Sequence, residues 1–444
     1  MSAVQNTPNT PVEDSTENAL LNSQKSQTFG EYMGAYFNRI RAGDLGILPI
    51  LFGLVVIAVF FQFRNSNFLT PINLYNLIIQ MAAITTIGYG VVFVLLLGEI
   101  DLSVSYISAM AGALLVIGMT QDRGIPIWFG FVEGEFAVTQ TLVLAWWAAI
   151  PIALAIATLI GLLQGSIITY LSVPSFIVTL AGFLVWSGMV LILLGRGGTV
   201  RMSNDVINGI ANSELPDPVG WVLAIVVVAV YGFFQISTHN TRKRQGLAAK
   251  PMSVIVLQIT GVAVLVGAVV AIANQADTPN LDRGVPLVGI ILLVFLGVLT
   301  FITNNTTFGR YLYAVGGNAE AARRAGINVQ QIRVAAFAIS GFMAGMGGII
   351  LVSRLRSIST EAGGGDLLLN SIAAAVIGGT SLFGGRGSVG SALLGAFVIA
   401  SLANGMGLLG WSAGVQSVVT GIVLVLAVLL DSLSRRAQKR AGLA

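Results

Sequence analysis

Apolar and polar positions alternate in long blocks along this chain, not residue by residue. Apolar runs fall at about 47–63, 74–97, 102–119, 142–169, 174–195, 219–237, 252–273, 286–303, 332–352, 367–383, 388–409 and 413–430. A helix of about 20 apolar residues is long enough to cross the hydrocarbon core of a bilayer. Lipid offers the backbone no hydrogen-bond partner, so a run in lipid must bond within itself. The pattern therefore predicts an all-α polytopic transmembrane bundle over residues 46–433, with about 12 spans (10–12).

The polar blocks set its orientation. Basic residues concentrate in every second connection when the N-terminus, with Lys25, Arg39 and Arg41, is placed inside. The loop 238–251, the loop 304–331 with Arg310, Arg323 and Arg324, and the tail after Asp431 then all fall inside. Loops 120–141, 196–218 and 274–285 fall outside and carry at least as much acid as base. Cytoplasmic loops hold the excess of Lys and Arg in membrane proteins. Twelve crossings with both termini cytoplasmic satisfy this rule, and an odd number does not.

Two places interrupt the block pattern. At 98–101 and within 367–387 a very short connection separates two apolar runs, as in a broken or re-entrant helix. Irregular backbone at membrane depth persists only where protein or a water-filled cavity covers it, and such places are binding-site candidates. The stretches VLLLGEIDLSVSYISAMAGALL and AVIGGTSLFGGRGSVGSALLGA share a shape: an apolar run, a polar or glycine break, then a helix of small residues.

Composition narrows the class. Of 444 residues 55% are hydrophobic and 9% charged, too apolar for a soluble surface, since soluble domains carry about 25% charged residues. The 53 glycines suit close packing of membrane helices. The chain has no Cys and one His, His239 in a basic loop, which excludes disulfides, thiol catalysis and a His-rich metal site. A net charge of +4, gathered in a few loops, gives no nucleic-acid surface. Residues 1–45 read as a cytoplasmic tail, largely disordered, with a possible amphipathic helix over 30–41; 434–444 form a basic cytoplasmic tail.

The loop 308–333 is too polar to span and too ordered in pattern for a plain linker. Gly316, Gly317 and Asn318 suit a turn, and Asn318 suits an N-cap for the helix AEAARRAG. Glu320 would sit in the first turn and Arg323 and Arg324 in the last, as the helix dipole favours, with Gly326 ending it. Such a helix is either a docking element or an ordinary surface turn with inside-directing arginines.

The spacing of Glu320, Ala321, Ala322 and Gly326 resembles the coupling-helix motif of permease subunits of ATP-binding-cassette (ABC) importers. GRYLYAVGGNAEAARRAGINV resembles the version in sugar permeases of the ribose, xylose, arabinose and galactose group. GEIDLSVSYISAMAG (98–112) resembles that group's GEIDLSVG segment, with Ser105 and Tyr106 where a glycine is usual. VPSFIVTLAG (173–182) and LNSIAAAVIGGTSLFGGRGSVGSALLGAFV (369–398) also match, the latter with Asn370 where an acid is usual. The additional pair of runs near 219–273 is similar to the longer, xylose-type permeases.

The resemblance implies a multi-pass permease in a bacterial inner membrane, translocating a monosaccharide, a pentose such as xylose, by alternating access. It implies cytoplasmic ATPase subunits, an extracytoplasmic sugar-binding protein and a second permease subunit as partners, and no cofactor. Gly317, Asn318, Glu320, Ala321, Ala322, Arg323 and Gly326 are the expected coupling residues. Candidates for the translocation path are Glu99, Asp101, Ser103, Phe176, Asn370, Thr380 and Ser381. Glu99 and Asp101 are the only carboxylates within the apolar runs from 47 to 119, and an ionisable group at that depth usually has a partner or a function. They read as a buried or path-lining break, or as a solvated turn. They also support an alternative, a proton- or sodium-coupled secondary transporter.

Enzyme chemistry has no foothold. The glycine-rich stretch 378–390 lacks the Lys-Ser/Thr pair of a phosphate loop, because the four lysines are Lys25, Lys243, Lys250 and Lys439. No Ser/His, paired-Asp or metal constellation lies in the runs.

Overall fold

The computed structural model describes residues 29–41, 46–120, 125–132, 135–195, 198–247, 249–275 and 284–440. The expected disordered tail over 1–28 and the last four residues of the basic tail lie outside them. Each apolar run holds a helix. In chain order the helices are α1 Phe29–Arg41, α2 Leu48–Arg64, α3 Pro71–Leu96, α4 Val104–Met119, α5 Trp146–Tyr170, α6 Ser175–Leu194, α7 Asp205–Asn212, α8 Asp217–Arg244, α9 Met252–Ala273, α10 Leu287–Asn305, α11 Thr307–Gly317, α12 Ala319–Arg324, α13 Val329–Leu355, α14 Gly365–Ile377, α15 Val389–Leu408 and α16 Ala413–Arg440.

Eight of these, α3, α5, α6, α8, α9, α10, α13 and α15, are long and apolar enough to cross a membrane. The other four apolar helices, α2, α4, α14 and α16, offer shorter apolar stretches. Two of the short ones have a common reason. α4 begins, and α14 ends, at one of the two breaks. The 13 residues of α14 rise only about 20 Å, less than the ~30 Å hydrocarbon core.

The chain divides into two compact units. The smaller holds α1, α8 and α9 up to Ala271. Within it α8 ends on Arg242, Lys243 and Arg244, and the turn to α9 is tied by His239 Nδ1, 3.0 Å from the Lys250 carbonyl oxygen. Gly232 of α8 receives Ile259 of α9. This unit contains the additional pair of apolar runs noted in the sequence.

In the larger unit α13 is the central helix, packed against α3, α4 and α5. Its glycines make this possible. Gly341 stands against Gly161 and the Ala157 carbonyl of α5, and Gly348 against the Ser108 carbonyl of α4, where a methyl group would overlap backbone atoms. Close backbone approach is how membrane helices associate when lipid is as apolar as their own side chains. α15 packs on α14 and α3. Polar side chains add a specific tie there: Asn73 of α3 and Asn404 of α15 exchange amide hydrogen bonds at 2.8 and 3.0 Å, and Asn404 also donates to Gln80 at 3.2 Å.

Short strands clip the bundle at the helix ends remote from the breaks. β1 Ile125–Val132 and β2 Glu135–Leu142 form an antiparallel hairpin. β3 Thr199–Arg201 pairs with β6 Ser357–Ser359, and β4 Glu214–Leu215 with β5 Val285–Pro286. α7, capped by Asn204, is anchored to α13: the Ala211 N–H donates to Ser353 Oγ at 2.8 Å. The hairpin and α7 fall where plain external loops were expected.

Candidate functional site

The expected coupling segment is a helix closed at both ends. Asn318 has extended backbone, and its Oδ1 accepts from the Ala321 N–H at 2.9 Å. At the other end Gly326 has a φ of +82°, the Gly326 N–H donates to the Arg323 carbonyl and the Ile327 N–H to the Ala322 carbonyl, both at 3.0 Å. That double closure satisfies carbonyls the helix leaves free. Glu320 pairs with Arg323 at 2.9 Å and Arg324 at 3.2 Å, all exposed. Ala322 alone of α12 is buried, so its Cβ seats the helix while Ala321 stays exposed. Asn328 then caps α13, accepting from the Gln331 N–H at 3.1 Å.

One local expectation needs correcting. Gly316 and Gly317 do not form a turn with Asn318; they are the last residues of α11. The need for glycine at Gly316 is tertiary, whereas a Cβ on Gly317 would meet open space. A Cβ on Gly316 would overlap the Leu96 carbonyl and the Gly385 nitrogen. Three segments meet here: the end of α11, the end of α3, and the loop 378–388. The Gly385 N–H donates to the Leu96 carbonyl at 2.8 Å, and Tyr313 of α11 donates to the Gly387 carbonyl at 2.9 Å. Gly98, Gly384 and Gly385, at φ +75°, +81° and +73°, turn the chain at this contact. Burial raises the Tyr313 phenol above its ordinary value, which keeps it a donor.

From this junction the break 97–103 enters the bundle. Glu99 pairs with Arg333 of α13 at 3.2 Å. Ile100 is held by α6, its N–H on Ser175 Oγ at 3.4 Å and its carbonyl on Thr179 Oγ1 at 3.3 Å. Asp101 is buried. Its Oδ1 accepts from the Ser103 N–H at 3.0 Å and lies 2.6 Å from Ser103 Oγ, and its Oδ2 accepts from Ser340 of α13 at 3.1 Å. Ser103 Oγ is also 2.7 Å from Gln164 Oε1 of α5, and Gly182 of α6 leaves room for that amide. Ser340 is eleven residues beyond Val329, the start of α13, about 16 Å along the helix. The break is thus contacted by three helices and buried at Leu97, Asp101 and Ser103, with Glu99, Ile100 and Leu102 half-buried and Gly98 exposed.

The seven path candidates do not form one site. Glu99, Asp101 and Ser103 line this break. Thr380 and Ser381 are buried in the adjoining loop, where Ser381 Oγ accepts from the Phe383 N–H at 3.0 Å and Thr380 Oγ1 has no hydrogen-bond partner. Asn370 lies elsewhere, in a cleft of about 160 Å³ that it shares with Asp366 of α14 and with Gln416, Ser417 and Thr420 of α16. Phe176 is half exposed on α6. Sequence reasoning missed Gln164, Arg333 and Ser340. Gln164 left a signal, as the one amide in its apolar run; a lone serine such as Ser340 left none.

The Glu99 and Asp101 carboxylates are both engaged by groups of the protein itself. Among the described residues no cluster of His, Cys, Asp and Glu suits a metal ion. Among the described residues a helical bundle with eight helices of spanning length, whose broken segments meet beside a capped helix, has the architecture of a multi-pass membrane protein. The chain belongs to the family described as the branched-chain amino acid transport system permease component, whose pattern matches residues 73–428. It is 34% identical over 405 residues to the xylose transport system permease protein of Escherichia coli (strain K12), covering 90% of this chain and 95% of that one. The protein of that name in Haemophilus influenzae is 34% identical over 399 residues, covering 90% and 99%. The ribose import permease protein of Bacillus subtilis (strain 168) is 31% identical over 379 residues, covering 85% and 90%. No solved structure matches. The family description names amino acids and the relatives are named for sugars, so membership defines a permease and not its solute.

Proposed function

We propose that this chain is the membrane-spanning subunit of an ABC importer for a monosaccharide, a pentose of the xylose type. The carrying observation is the 34% identity that runs through nine tenths of the chain to a xylose transport permease. Its partners are cytoplasmic ATPase subunits, an extracytoplasmic sugar-binding protein and a second copy of the permease, in a bacterial inner membrane. It crosses twelve times with both termini cytoplasmic, α4 and α14 completing their crossings with the adjoining breaks.

α12 is the docking element. Asn318, Glu320, Ala321, Arg323 and Gly326 present or close its exposed surface, Gly317 precedes it at the end of α11, and Ala322 seats it. ATP-driven closure of the ATPases moves α12, and the cavity opens to one side at a time. A loaded binding protein shifts that equilibrium only through different affinity for the two states. The first break supports this reading over ion-coupled transport. Glu99 is paired with Arg333, and Asp101 accepts from donors of the protein itself.

The test is reconstitution in vesicles with the candidate ATPase and binding protein. Xylose-loaded binding protein should stimulate ATP hydrolysis and drive uptake. Uptake by the permease alone on a proton gradient would overturn the proposal.

A further inference from the structure

The two acidic residues of the first break each contact one helix, α13, which follows α12 after four residues. We infer that Arg333 and Ser340 of α13, gripping Glu99 and Asp101, form the joint that carries movement of α12 into the break at 97–103. The inference rests on the docking role proposed for α12.

Three observations carry it. First, Arg333 and Ser340 are seven residues apart, so they fall within about 20° of each other around the helix and present one face. Their partners are two residues apart in the non-helical segment. The break therefore runs alongside α13, touched at a charged pair 3.2 Å long near the helix start and at a buried hydrogen bond of 3.1 Å deeper in. Second, α12 and α13 are separated by only Ala325, Gly326, Ile327 and Asn328. The first helix ends in a closed cap and the second begins with one, so displacement of α12 is delivered to α13 with little slack. Third, α3 and α4 scarcely touch each other, and α13 packs on both. The break bridges two helices whose spacing α13 sets, and Asp101 reaches past it through Ser103 to Gln164 of α5. A shift of α13 thus bears on the break through two polar contacts that a purely apolar interface lacks.

Arg333 and Ser340 are positioning residues in this account, because neither is placed on solute or nucleotide. Their removal should uncouple hydrolysis from uptake and leave the assembly standing. The experiment uses the complete importer in vesicles and reads sugar molecules moved per ATP hydrolysed, together with the amount of ATPase that copurifies. Arg333→Gln and Ser340→Ala should each lower that ratio by between about twofold and thirtyfold, the range for residues that modulate coupling without touching a ligand, with copurification unchanged. The charge exchange E99R/R333E should restore most of the ratio lost in Arg333→Gln. The inference is overturned if both single variants keep the wild-type ratio, or if uptake and hydrolysis fall together with the ratio unchanged. Failure of the docking role would look different: the wild-type chain itself would not retain the ATPase.

Discussion

The two breaks both interrupt apolar helices, the first (97–103, LGEIDLS) with two carboxylates and one glycine, the second (378–388, GGTSLFGGRGS) with five glycines and no acid, and the second meets the end of α3 beside the first at the Leu96 carbonyl. They are nonetheless held in different ways. The first is held by side chains. Gln164, Thr179, Arg333 and Ser340 reach it from α5, α6 and α13, and its own Asp101 and Ser103 answer them. The second is held largely by backbone: Gly384 and Gly385 fit against Gly98, Gly316 and Gly317, where side chains would collide. The helices around them differ too. α13 stands between α3 and α4, whereas α14 and α15 pack directly on each other. A shared linear shape thus accommodates a polar joint in one place and a glycine hinge in the other, because a buried carboxylate must find donors and a buried glycine must only find room.

The largest test of that contrast is Asp101→Leu. It leaves the Ser103 N–H and the Ser340 hydroxyl buried without their acceptor, at about 1–3 kcal/mol for each group left unsatisfied, while the Ser103 hydroxyl keeps Gln164 Oε1 at 2.7 Å. The expected loss is about 3 kcal/mol or more, seen as a lower melting temperature in detergent. An unchanged melting temperature would mean that the carboxylate does not hold the break.

In the second break, Gly385→Ala should cost about 1–2 kcal/mol for left-handed backbone, plus a contact 3.1 Å from Gly317 Cα. Gly379→Ala has φ +102° but open space around its Cβ. It should melt higher than Gly385→Ala, and equal melting would remove packing from the account of this loop.

Tyr313→Phe deletes one hydrogen bond into the second break and should cost about 0.5–1.5 kcal/mol. It also tests pH dependence. The folded phenol titrates above its ordinary 10.0, so its contribution is complete below that pH and drains away as pH rises through the raised value. An alkaline melting series should show a shallower decline for the Phe variant than for wild type.

The smallest effect on stability belongs to Glu320→Gln, outside both breaks. Its ion pairs are exposed and worth a few tenths of a kcal/mol. Melting should barely move, while ATPase copurification drops if α12 is the docking helix. A large loss of stability would instead make Glu320 a structural residue.

The fold was most legible where the signal was local. The apolar runs became helices, and Asn318 and Gly326 close α12 as their side chains and backbone freedom suggested. Legibility failed where a local pattern had two outcomes. IPIWFGFV, read within an external loop, is a strand, and GG at 316–317 is a helix end instead of a turn. Asn370 and Phe176 were grouped with Asp101 by polarity, ring chemistry and motif, none of which says which way a helix faces.

By itself the sequence determined the class, the helices and the capped α12, because hydrophobic length, the positions of Asn and Gly, and i,i+4 charges act over one or two turns. Only the tertiary structure decided that the two breaks meet and that Asp101 answers to Ser340, a residue 239 positions away. Such pairing follows from which backbones can approach closely. That depends on glycines in one helix meeting open faces in another, a fit between surfaces that no single stretch of chain contains.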